Sequence, residues 1–228
     1  MNRRYLKIRE FIIERAILLT SFAAIASIIL IFIFIIREAL PVLLDSATQK
    51  EANIKLFFLT RVWQPTSDVP KYSFIPLITG TLKLTVVAMF FAIPIAVGAA
   101  IYTAEFAPRH IKEFLKPIIE ILAGIPSVVM GFFALIVLAS FLQGIFGYHI
   151  RLNALNAGIA LSFAIIPTIY SISEDALNAV PRSYREASYA LGANRWQTAY
   201  LVVLPAAAAG VLASVILGLG RAIGETMI

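Results

Sequence analysis

The chain has 228 residues, of which 60% are hydrophobic and only 14% charged, with a formal charge of +6. Soluble domains run about half apolar and about a quarter charged, so this composition excludes an ordinary water-soluble domain and points to a bilayer as the solvent. The lack of cysteine excludes a disulfide framework and a thiolate metal site, and the positive charge reads as basic flanks of membrane spans rather than a nucleic-acid surface.

The opening "MNRRYLKIRE" and the rest of segment 1–15 are strongly basic. They read as a topogenic flank in preference to an amphipathic helix lying on anionic lipid. Ala16–Ile36 holds no Asp, Glu, Lys or Arg and is predicted to be the first transmembrane helix. It is too long for a signal-peptide core, and no small-residue cleavage site follows it. Segment 37–74 is predicted to be an extracytoplasmic loop of mixed charge with Pro65 and Pro70, partly ordered by its "FFL" run and Trp63. The core, 75–228, is predicted to hold spans at about 75–104, 117–142, 152–173 and 205–228. Each is apolar on all sides, without the alternation of a barrel strand. His110 and His149 flank different runs and make no metal cluster alone.

Pro94, the Gly124-Ile-Pro126 break and Pro167 fall inside these runs. In lipid, freed backbone groups are tolerated where protein or a wet cavity satisfies them, so the breakers favour a bundle around a pathway. With five spans, the N-terminal flank, 105–116 and 174–204 share one side. They carry Arg3, Arg4, Lys7, Arg9, Arg15, Arg109, Lys112, Lys116, Arg182, Arg185 and Arg195. The other side carries Arg37, Lys50, Lys55, Arg61, Lys71 and Arg151. The richer side is predicted to be cytoplasmic.

Between the last two spans lies a polar loop, 174–204, with its own punctuation. Ser183 and Glu186 have capping-box spacing. Gly192 stands where a helix would stop in a left-handed conformation, and Asn194 with Gln197 reads as a second cap. Helix, tight turn, helix is therefore expected: a rigid elbow facing the cytoplasm. Near the end, Arg221 and Glu225 are four apart on a predicted helix that begins near Pro205, which places Arg221 about 24 Å along it, beyond mid-membrane. A charge there is costly. Two accounts stand: a structural Arg221–Glu225 pair, or an arginine that meets an anion through its planar fork while Glu225 holds or neutralises it.

Glu186-Ala187-Ser188, Gly192 six positions after Glu186, and Val202-x-Leu204-Pro205 resemble the EAA loop of ATP-binding-cassette importer permeases. Ser188 and Val202 are small departures from Ala and Ile. The stretches "REALPVL", "VWQP", "PLITGTLKLT", "EFAP", "ILAGIPSVVMGFFAL", "AVPRSYREASYALGANRWQT" and "GLGRAIGETM" extend the resemblance over nearly the whole chain, to the phosphate-specific permeases, the PstC family. Trp63-x-Pro65 favours that family over its PstA counterpart, and Met130 stands where an aromatic residue is expected.

The resemblance implies an all-α polytopic bundle of the type I importer kind, with five spans visible and a sixth expected after the last. It implies that Glu186, Ala187, Gly192, Leu204 and Pro205 couple to a separate ATPase, and that Arg221 and Glu225 line a phosphate pathway. The implied partners are a PstA-like permease, a PstB-like ATPase dimer and a PstS-like extracytoplasmic binding protein. No Gly-Lys dipeptide, hence no Walker loop, occurs in the chain. No cofactor and no enzymatic activity are therefore expected here, with ATP and magnesium bound by the partner. The alternatives are a permease for another anion such as molybdate or sulfate, and a non-transporting membrane scaffold. An ion-driven carrier is disfavoured because Glu120 and Glu225 are the only acidic candidates in the predicted spans.

Overall fold

A computed structural model describes residues 3–44, 54–67 and 71–225. Lys50 and Pro70 of the predicted loop, and residues 226–228 of the last predicted span, lie outside the described residues. Among the described residues the fold is helical, and the chain divides into two compact units, Met1–Leu77 and Ile78–Ile228.

In the first unit, α1 (Arg3–Leu44) is apolar on every side from Ala16 to Ile36, with its side chains exposed from Phe11 through Ile36. A helix hydrophobic all round suits lipid. It is much longer than the 16–36 expected, and takes in most of the basic flank and the start of the predicted loop. The short α2 (Ile54–Leu59) follows. Phe57 stacks on Phe74 with ring centroids 4.7 Å apart, and Trp63 meets Tyr72 edge-on at 5.8 Å. Gln64 and Lys71 exchange backbone hydrogen bonds of 2.9 and 3.0 Å, and the buried Ser73 hydroxyl donates to the carbonyl oxygens of Thr60 and Phe57. The aromatic residues of this segment thus do give it something to pack on.

The second unit is built on α3 (Phe74–Ile101, whose first residues belong to the first unit) and α6 (Ala154–Ala179). Alanines at every fourth position of α3 (Ala88, Ala92, Ala96, Ala100) are fully buried and lie in one cluster with Leu161, Ile165, Ile169 and Tyr170 of α6. With no hydrophobic force between helices in lipid, small residues that let backbones approach are what favours packing. Gly158 of α6 is such a contact, since a Cβ there would overlap the Val87 side chain. Pro94 and Pro167 sit inside unbroken helices, Pro167 fully buried.

Two predicted spans are corrected. The run at 117–142 is two helices: α4 (Arg109–Gly124), amphipathic, and α5 (Ser127–Phe146), apolar and long enough to span, with a π-helical turn at Ala134–Leu138. A residue before proline avoids the helical region, and Ile125, before Pro126, is extended at φ −68° and ψ 124°. The 205–228 span is also not one rod. Helix α8 (Arg195–Ala206, π-helical over Ala199–Val203) meets α9 (Ala208–Gly224) at a 70° bend. Pro205 has no N–H to continue the ladder, and the chain turns at Ala207. Among the described residues, four helices are long and apolar enough to cross a membrane, five if the bent pair is one span. Helix α6 runs on to Ala179, six residues into the segment predicted as loop, which is itself largely helical.

Candidate functional site

The polar segment after α6 forms the elbow. Its first helix, α7 (Arg182–Ala190), is capped by Pro181, with no side-chain cap. The expected Ser183–Glu186 box is therefore absent: Pro181, preset near helical φ, starts the helix early and leaves Ser183 inside the first turn. The exit is as expected. Gly192 has φ +82°, its N–H donates to the Tyr189 carbonyl at 2.9 Å, and the Ala193 N–H donates to Ser188 at 3.2 Å. This pair is the Schellman arrangement, which satisfies carbonyls the helix end leaves free. Asn194 then caps α8 reciprocally: Gln197 N–H to Asn194 Oδ1 at 2.9 Å, Asn194 N–H to Gln197 Oε1 at 2.8 Å. The buried hydroxyls of Ser188 and Thr198, 2.9 Å apart, join the two helices.

Glu186, Ala187 and Gly192 are exposed, and Leu191 is 90% exposed. Ala187, Leu191, Gly192 and Val202 line one open cleft of about 710 Å3. Leu204 instead packs on the core cluster, and Pro205 is exposed at the bend. The predicted coupling residues are thus divided between the elbow's outer face and its junction with α9.

In the sequence Arg185 stands out only as a topogenic charge. In the fold its guanidinium grips the Glu105 carboxylate through Nε (3.1 and 3.2 Å) and Nη2 (2.6 Å), and donates to the carbonyls of Val180 (2.7 Å) and Leu177 (2.9 Å). The side chains are only 18% and 6% exposed. Glu105 lies in a π-helical turn, Tyr102–Phe106, that extends α3. Beside it, Phe106 packs on Trp196 of α8 with centroids 4.5 Å apart. The available signal was a carboxylate at the end of a long apolar run, since acidic side chains are rarely buried unless paired.

Arg221 does not pair with Glu225. Helix α9 ends at Gly224, and Glu225 follows it as the extended C-cap residue with φ −79° and ψ 118°. Among the described residues the ion pairs are Arg109–Glu113 and Arg185–Glu105. Arg221 instead donates from Nη1 to Thr168 Oγ1 at 2.8 Å and is otherwise exposed. Thr168 sits near the middle of the 26-residue α6. With the bend at Ala207 the straight 24 Å estimate fails, and Arg221 lies level with mid-helix.

Helices α6 and α9 run antiparallel, as their pairings show: Thr168 with Arg221, Ile169 with Gly218, Ser173 with Ser214, Ala176 with Gly210. The Ser173 and Ser214 hydroxyls are buried and 2.7 Å apart.

Residues 92–228 match the family described as binding-protein-dependent transport system inner membrane component. The chain belongs to that family. This is a family of transport permease subunits in multi-pass membrane proteins, and the fold is the all-helical one of type I ATP-binding-cassette importers. A probable ABC transporter permease protein of Bacillus subtilis, YqgH, is 44% identical over 75% of this permease chain and 55% of its own length. The phosphate transport system permease protein PstC of Xylella fastidiosa is 31% identical over 89% of this chain and 68% of its own. That of Haemophilus influenzae is 35% identical over 75% and 60%. The chain thus spans between about half and two thirds of the length of these curated relatives. Among solved structures, an inward-facing MetNI methionine ABC transporter matches with TM-score 0.55 and 26% identity over 66% of this chain and 72% of that one.

Proposed function

We propose that this permease is the transmembrane subunit of an ATP-driven phosphate importer, forming half of the translocation pathway. The observation that carries the substrate is the likeness, over most of the chain, to proteins named as phosphate transport permeases. The site chemistry is compatible with it. Arg221 presents an exposed guanidinium on an otherwise uncharged helix, one nitrogen held by Thr168. That leaves the rest of the planar fork for an oxyanion. Glu225, at the end of α9, is the counter-charge nearest in sequence.

The elbow supplies the second half of the proposal. Glu186, Ala187 and Gly192, with Leu204 and Pro205 at its base, contact a separate ATPase dimer of the PstB kind. That ATPase binds ATP and magnesium, and this chain holds no cofactor and performs no covalent chemistry. A homologous PstA-like permease completes the pathway, and a PstS-like binding protein delivers phosphate from outside. The N-terminus and elbow face the cytoplasm, and segment 37–74 faces outward. Closure of the ATPase dimer moves the elbow and switches the access of the pathway.

The test is uptake of radiolabelled phosphate by the reconstituted full complex, with molybdate and sulfate as competitors. Inhibition by unlabelled phosphate alone is expected. Competition by molybdate or sulfate at equal concentration favours the other reading, a permease for a different oxyanion. That reading has one support: the Bacillus relative is named as a permease without a substrate. Absence of any uptake, with no ATPase co-purifying, returns the chain to a scaffold.

A further inference from the structure

The elbow runs directly into α9 along the chain, and one side chain ties it as well to α6, the helix on which α9 packs. Arg185 belongs to α7. Its guanidinium reaches the carboxylate of Glu105, at the end of α3, and the carbonyls of Leu177 and Val180, at the end of α6. A cation at a helix C-terminus is favoured by the exposed carbonyls and the helix dipole, and the bidentate carboxylate fixes the fork in one plane. The carboxylate stands in a π-helical turn; such turns recur at functional sites in helices.

Helix α6 is the common beam. It carries Leu177 at one end and, about 14 Å away at 1.5 Å per residue, Thr168, which holds Arg221. Between the two, Ser173 bonds to Ser214 and Ile169 meets Gly218, which also fits against Ile165 just beyond Thr168, so α9 is keyed to α6 over this stretch.

We propose that Arg185 is the positioning residue that couples the elbow to the pathway: oriented by Glu105, it locks α7 to α3 and α6, so that the elbow and the α6–α9 pair bearing Thr168 and Arg221 shift as one body. This rests on the reading of the chain as a permease driven by a separate ATPase. Arg185 touches no substrate; it acts through the helix it grips.

The test uses the full importer complex and three variants. E105Q keeps shape and removes the charge. R185K keeps the charge and removes the fork. The double variant E105M/R185M removes both charges and leaves no unpaired buried charge behind, and so separates loss of coupling from the penalty of a stranded charge. In all three the ATPase is expected to co-purify and hydrolyse ATP, while phosphate transported per ATP falls at least tenfold.

A second measurement does not depend on transport. The chain has no cysteine, so spin labels at Tyr102→Cys and Ser183→Cys, both exposed positions, report the distance between the end of α3 and α7. A single narrow distribution is expected in the unaltered background with and without a non-hydrolysable ATP analogue, at least twofold broader in E105Q and R185K. A transport ratio within twofold of the unaltered complex, or an unbroadened distribution in both single variants, overturns the proposal. So does loss of coupling that merely tracks loss of the ATPase from all three complexes. If the unaltered complex carries no phosphate while the distances behave as expected, the substrate reading fails and the lock stands.

Discussion

Gly192 shows how much a single position can carry. Its φ of +82° is open to glycine and strained for other residues, and nothing lies within 4 Å of where a Cβ would sit, so the obstacle is torsional rather than steric. Gly192→Val is expected to cost about 1–3 kcal/mol of local strain and to reduce phosphate transported per ATP in vesicles, with Gly192→Asn milder because asparagine tolerates this region. Equal coupling in the valine variant removes the rigid elbow from the mechanism. Arg221 is the other case. Its bond to Thr168 can be kept by an amide, but the charge cannot. With a hydrogen bond to a charged group worth about 1.5–3 kcal/mol, Arg221→Gln is expected to lower phosphate uptake roughly tenfold to a hundredfold while the ATPase stays bound. Unchanged uptake makes Arg221 a structural residue.

Among the elements, α6 and α9 form the pair whose fit matters most. A Cβ on Gly218 would come within 2.5 Å of Ile169 Cγ1, while at Gly220, two residues on, it would meet open space. Gly218→Val is therefore expected to destabilise by about 1–3 kcal/mol through overpacking, read as a lower melting temperature in detergent, with Gly220→Val close to unaltered. Equal melting of the two variants contradicts this α6–α9 packing. The elements also show where pattern reading stops. Apolar runs announce span helices, but the break at Pro126 and the bend at Ala207 divide what hydropathy alone joins, because a window average is blind to one missing N–H. The same averaging hid α4, whose apolar residues lie partly on a packed side and partly on an exposed one.

For the molecule as a whole, the charge asymmetry predicts a direction across the membrane. Single cysteines, introduced at Arg61 in the first unit and Ser183 in the elbow, provide the check in this cysteine-free chain. A membrane-impermeant maleimide applied to intact cells is expected to label the first and spare the second. Labelling of Ser183→Cys from outside reverses the topology and removes the ATPase contact with it.

What the sequence determined alone was whatever depends on near neighbours and on composition: a lipid solvent, the long apolar helices, the Asn194–Gln197 cap and the left-handed Gly192. Each is decided within a few residues, by torsion, by hydrogen bonds three or four positions apart, or by transfer of side chains out of water. The tertiary structure decided the rest. Glu105 and Arg185 are eighty positions apart, Arg221 answers to Thr168 instead of Glu225, and Ser173 meets Ser214. These partnerships exist because small residues let α3, α6 and α9 approach closely, and a charge or hydroxyl then takes the partner that packing presents, whichever residue stands nearest along the chain.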